Sequence, residues 1–196
     1  METTLAVLAG FGLAAAVGFR VFVPFLVMSI AAHGGHLPLA DDFAWIGSTP
    51  ALITFSVATL FEVLAYSIPW VDHALDVVSG PAALIAGSVA MASVVVDVSP
   101  FLRWTLAVIA GGGVAAAVQG GTALGRGAST LTTGGLANPL VSGAELGGSI
   151  VTSVLAVMVP VLAAAFVVAM LVWIGTHVRR WGARQRTRTR RFTSGA

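Results

Sequence analysis

"TLAVLAGFGLAAAV" (Thr4–Val17) returns almost unchanged as "TLAVIAGGGVAAAV" (Thr105–Val118). Only Leu8/Ile109, Phe11/Gly112 and Leu13/Val114 differ, at a constant offset of 101 residues. Self-similarity at a fixed separation is the sequence sign of a repeated structural unit. Both copies are apolar and rich in Gly and Ala, residues that let helices approach closely in lipid. Gly143-x-x-x-Gly147 reads as a further close-contact face.

The composition places these segments in a membrane. Hydrophobic residues make up 57% of the chain and charged residues 9%, with a mean hydropathy of +0.95. A soluble domain carries about 25% charged residues, so this chain cannot cover a water-facing surface. The sequence contains no cysteine and no lysine. Disulfides, iron–sulfur clusters, thiolate metal sites, Schiff-base lysines and a Walker lysine are therefore excluded. "METT" supplies no basic n-region, and the apolar run that follows is too long for a signal peptide, so it reads as a retained first span.

The expected fold is an all-α polytopic bundle of about five transmembrane helices, each needing about 20 apolar residues. The first runs from Thr4 to Ala32 with a kink at Pro24. After the polar loop His33–Gly47, Ser48-Thr49-Pro50 signals a helix start and the second span runs from Pro50 to Ile68. Ser79 caps a short third span, Pro81–Val96. A turn at Asp97–Pro100 leads into the fourth, which ends near Gly121. The polar segment Ala123–Pro139 is either an ordinary loop or a re-entrant segment. Ser142 opens a long final run to Val178, expected to kink at Pro160.

Seven of the ten arginines lie in "RRWGARQRTRTRRF", from Arg179 to Phe192. Cytoplasmic flanks carry the excess of basic residues. The tail 179–196 is thus expected in the cytoplasm, attracted by anionic lipid and disordered beyond about Arg184. Nucleic acid is not an expected partner of a tail fixed to the bilayer. Five crossings place the N-terminus outside. The two copies, three crossings apart, then face opposite ways, giving inverted-repeat halves of about 1–98 and 99–178. Secondary transporters use such symmetry to alternate access. The small-residue faces also make a homo-oligomer an expected assembly.

Polar groups inside apolar spans are the candidate functional residues, because a central charge costs about 2.5–3.5 kcal/mol on insertion scales. Glu62, inside the second span, reads as a proton- or cation-handling group or as the partner of Arg20. Arg20 otherwise snorkels to the interface. Ser142-Gly-Ala-Glu145 has the form of a capping box, and a helix start at membrane depth presents its positive dipole end to an anion. If the segment holding Thr132, Thr133 and Asn138 enters the membrane, its hydroxyls and carbonyls would contact a solute. Asp72 and Asp76 share a helix face at i, i+4, with His73 beside them, and either hold a divalent metal or stand as solvated interfacial charges. No other cofactor is indicated.

"GFRVFVPFLV", "IPWVDHALD" and "STLTTGGLANPLVS" together resemble the family of small bacterial membrane proteins catalogued as domain of unknown function 4126. The resemblance covers about Leu5 to Ala165. It implies a multi-span membrane protein and carries no activity, and it implies that Glu62, Asp72, Asp76, Thr132, Thr133, Asn138, Pro139 and Glu145 are family positions. The expected function is a small transporter or channel for a small solute or ion. The alternatives are a metal-dependent enzyme acting on a lipid head group, with Asp72, His73 and Asp76 as ligands, and a scaffold or assembly protein without a site.

Overall fold

Arg20 ends the first helix, and the chain reverses there. The structure, a computed structural model, describes the backbone of residues 2–65 and 69–193 and the side chains of residues 2–65 and 78–176. Helix α1 spans Thr3–Phe19 and α2 spans Phe22–His33. Arg20 between them is extended, with φ −147° and ψ 130°. The apolar run read as one kinked span is therefore a hairpin of two helices. Pro24 lies in the first turn of α2, where its missing N–H removes no intrahelical bond.

The remaining elements follow with short connections. A 3-10 turn, Asp41–Gly47, leads at a 66° bend into α3, Thr49–Ala65. The Ser48 hydroxyl accepts the Ala51 amide at 3.3 Å, as the Ser-Thr-Pro signal indicated. Helix α4 spans Pro69–Val94 and contains Pro81 within it. Ser79 therefore lies inside the helix and is not its N-cap, and the helix starts earlier than the sequence suggested. The turn at Asp97 (φ 60°) is present, and Ser99 caps α5, Pro100–Leu106, by accepting from Leu102 N–H. A π-helical segment, Ala107–Gly112, joins α5 to α6, Gly113–Thr133. Helix α7 spans Asn138–Met158 and α8 spans Pro160–Thr193. Every element is helical, with no strand among the described residues. The α8 backbone continues as helix through the arginine segment, where the sequence suggested disorder.

Contacts between these helices fix their directions. The Gly10 position on α1 lies against Met91 and Val94 of α4, and Gly111 lies against Met91 and Gly87. Eight residues further along α1, Gly18 abuts Ala115 and Val118. The two similar segments therefore run side by side in the same direction, both antiparallel to α4. This corrects the inverted-repeat expectation and its division into halves. The copies also differ in surroundings. Gly12 presses on Ala156 and Ala163, whereas its counterpart Gly113 faces open space.

The final apolar run is a hairpin as well. Ser149 of α7 donates its hydroxyl to Ala16 O at 3.0 Å, and Ala156 lies against Gly12, so α7 descends along α1. Ala163 of α8 meets the same Gly12, Val167 clusters with Ala14 and Ala15, and Ile174 covers Gly121. Helix α8 therefore returns along α1 in the opposite sense to α7. Val159 (φ −141°, ψ 72°) makes the break, and Pro160 opens the new helix instead of kinking the old one. Gly143 and Gly147 face open space, and it is Gly148 that packs, against Phe19.

Two stretches among the described residues are long and apolar enough to cross a bilayer: 100–133 and Asn138–Met158. The bent pair Asp41–Gly47 and Thr49–Ala65 makes a third if it counts as one span. Large apolar side chains such as Phe101 and Leu131 point outward at 81% and 90% exposure, a surface that suits lipid.

The unequal surroundings of the two copies have a measurable consequence. Gly12→Ala places a methyl 2.8 Å from Ala156 Cβ and should lower stability by about 1–3 kcal/mol, as overpacking does. Gly113→Ala meets nothing within 4 Å and should be neutral or stabilising by up to about 1 kcal/mol. Thermal unfolding in detergent checks both. Equal losses would contradict the parallel, non-equivalent packing.

Candidate functional site

The charged groups of the helical core converge where α1, α6 and α7 meet. Arg20, Arg126 and Glu145 are 2%, 5% and 3% exposed, which for ionised side chains requires partners. Arg126 Nε donates to Glu145 Oε1 at 2.9 Å, and its Nη2 donates to Oε2. Such a fork-to-fork pair is the strong form of the Arg–carboxylate interaction. Arg20 Nη2 lies 3.8 Å from the same Oε2. It also donates to the Ser142 carbonyl at 3.2 Å and to the Ser142 hydroxyl. Glu145 lies about 10 Å along α7 from Asn138, inside one of the candidate spans.

This geometry corrects two sequence expectations. Helix α7 begins at Asn138, with Pro139 in its first turn, so Ser142 and Glu145 lie inside the helix and form no capping box. Arg20 neither snorkels nor pairs with Glu62. It is buried, and its hydroxyl and carbonyl partners come from α7.

Glu62 does a different job. Its Oε1 accepts the Val21 amide at 2.8 Å and its Oε2 accepts the Phe22 amide at 3.1 Å. A helix start leaves its first amides without intrahelical acceptors. Here α3 supplies the cap for α2 across space, and the negative carboxylate also complements the positive end of the α2 dipole. Phe25 stacks on Phe55 with ring centroids 5.4 Å apart, fixing the same pair of helices lower down. Both arginines also act on Glu62 through their charge, so among the described residues two cations and two carboxylates interact here.

A cleft of about 390 Å³ reaches Glu62 from between α2, α3 and α4, where Phe22, Phe61, Val78 and Ser79 are among its walls. Behind it, Gln119 of α6 donates to the Ser79 hydroxyl at 2.8 Å.

The other candidates lie elsewhere. The segment holding Thr132 and Thr133 is the end of helix α6 and not a re-entrant loop. Their hydroxyls return to their own helix, at Ala128 and Ser129 carbonyls. Asn138 reaches the Thr130 hydroxyl at 3.4 Å. Thr132 and Thr133 are exposed at the α6–α7 turn and Asn138 is half-buried there, about 10 Å along α7 from Glu145. Asp72, His73 and Asp76 fall outside the described side chains. Among the described residues, no three His, Asp or Glu converge to hold a metal.

Arg126 was missed by sequence reading. It sits in "LGRGAS", which reads as loop. Charge balance was the available signal: two carboxylates in apolar helices need cations, and outside the tail only Arg20, Arg103 and Arg126 exist.

A family model described as Domain of unknown function (DUF4126) matches residues 7–180. The chain belongs to the DUF4126 family. No curated protein and no solved structure matches it. The DUF4126 match takes in Arg20, Glu62, Arg126 and Glu145 together, so the whole cluster lies within the family domain.

Breaking the buried network should be costly. Glu145→Ala leaves two buried guanidinium groups short of their carboxylate and should destabilise by about 3–5 kcal/mol. Arg103→Ala removes the 2.6 Å pair with Asp42, which is 71% exposed, and should cost at most about 1 kcal/mol. Denaturant titration of the detergent-solubilised protein compares them. A Glu145→Ala loss no larger than that of Arg103→Ala would contradict a tightly paired core network.

Proposed function

We propose that this DUF4126 protein is a small transporter or channel for a small solute or ion in the bacterial cytoplasmic membrane. One observation carries the reading: among the described residues, buried Arg20, Arg126 and Glu145 gather with the half-buried Glu62 inside an apolar bundle, and a cleft reaches Glu62. Ionisable groups within membrane helices mark ion and solute paths because lipid selects against them elsewhere. When a charged solute or a proton arrives, the pairings of Glu145 can redistribute between its two arginines.

In this reading the arginine-rich end of α8 faces the cytoplasm and contacts anionic lipid. Helix α8 runs parallel to α1, so the N-terminus then lies outside. The small-residue helix faces also leave room for association of copies. Alternating access cannot come from inverted halves. Relative movement of the α1–α2 and α7–α8 hairpins about the cluster is the available motion.

A scaffold role is the second reading, and a specific observation favours it: both oxygens of Glu62 are engaged by backbone amides, as a purely structural cap requires. Flux measurements across a panel of small ions and solutes in proteoliposomes separate the two. Transport predicts a flux above that of empty vesicles, reduced tenfold or more by Glu62→Gln while the protein remains folded. No flux above background for any member of the panel, or a flux indifferent to Glu62→Gln and Glu145→Gln alike, supports the scaffold.

A further inference from the structure

The cleft beside Glu62 has a composition that selects for a ligand. Its volume, about 390 Å³, falls in the range of about 300–1,000 Å³ typical of small-molecule sites. Among the described residues its walls are apolar, Phe22, Ala58, Phe61 and Val78 among them, with Ser79 and Glu62 the polar exceptions. Phe61 and Val78, on α3 and α4, are 66% and 61% exposed. The mouth therefore lies on the outer, apolar flank of the bundle, where a bilayer would supply the ligand laterally.

Charge decides what fits. Among the described residues, Glu62 is the one ionisable side chain in the lining. Arg20 and Arg126 are buried, outside the described lining, and held by Ser142 and Glu145. A ligand entering from the mouth meets the carboxylate first. An ammonium group losing water in this cleft finds a counter-charge at Glu62, and the faces of Phe22 and Phe61 add cation–π attraction. A neutral amphiphile gains only apolar contact. An anionic one meets like charge in surroundings of low dielectric.

We propose that this cleft binds a membrane-dissolved amine: an apolar body between Phe22, Phe61 and Val78, with its cationic head on the Glu62 carboxylate. The inference deepens the transport reading by naming the ligand class of the Glu62 site. Binding is measured without flux, so the two fail separately.

The test uses the full chain in nanodiscs, with empty nanodiscs as the partition control, and radiolabelled decylamine as the probe. Decanol and decanoate serve as competitors. Decylamine should bind saturably, and Glu62→Gln should weaken it tenfold or more. Ala58→Trp, which fills the cleft and leaves the carboxylate in place, should abolish binding, and decanoate should not compete. Glu62→Gln retains a side-chain acceptor for the α2 amides, and Ala58→Trp tests the cleft without touching that cap. Undiminished decylamine binding in either variant, or displacement by decanoate as effective as by unlabelled decylamine, would overturn the proposal. So would a failure of decylamine to bind above the partition control.

Discussion

The Glu145 carboxylate, gripped by Arg126 and approached by Arg20, is the interaction on which the helix arrangement turns. An ionised group at this burial is tolerable only when its partners arrive together, and they arrive from three separate helices. Arg20 sits just past the end of α1, Arg126 lies on α6 and Glu145 lies on α7. Both cations reach one carboxylate because α1 and α6 point the same way. Reversing either helix would carry its arginine to the opposite end of the bundle, leaving a buried charge with no partner. Removing one member of such a set is far costlier than the set is stabilising as a whole.

The duplicated segment acquires a physical meaning from this arrangement. Gly10 and Gly111 occupy equivalent places in the two copies and both press on Met91 of α4. The similarity reflects a shared task, presenting a smooth face to α4 at close range. It does not generate two equivalent halves, because α1 is also wrapped by α7 and α8 while its counterpart looks outward at Gly113. The π-helical turn lies within the second copy only. It rotates Gly111 and Gly112 against Gly87 and Ser88, and single-turn π segments commonly mark such departures from regular packing.

Much of the architecture was legible. The helical class, the membrane composition, the start of α3 at Ser48-Thr49-Pro50 and the turn capped by Ser99 follow from local chemistry that acts within a few residues. The hairpins did not. The reversal at Arg20–Val21 carries no Gly, Pro or Asn signal, because its amides are satisfied by Glu62 from 40 residues away. Pro24 and Pro160 invited the reading of kinks, yet each stands in the first turn of a new helix. Ser142-x-x-Glu145 matched a capping pattern by spacing alone. The true start, at Asn138-Pro139, frees both residues for the ionic network. Of the site, Arg20, Glu62 and Glu145 were visible as charges in apolar runs. Arg126 was hidden by its glycine-rich neighbours, and the partnerships were hidden because each is long-range.

The most direct measurement is a pair of spin-label distances, made simple by the absence of native cysteine. Cysteines at Thr4 and Val108 are compared with cysteines at Thr4 and Leu124, all three positions lying on the protein surface. Val108 and Leu124 are separated by about 24 Å along the helix axis. Parallel copies predict that the Thr4–Val108 distance is the shorter by more than about 10 Å. A shorter Thr4–Leu124 distance would mean that the copies run in opposite directions, and would contradict both the packing on Met91 and the meeting of Arg20 with Arg126 at Glu145.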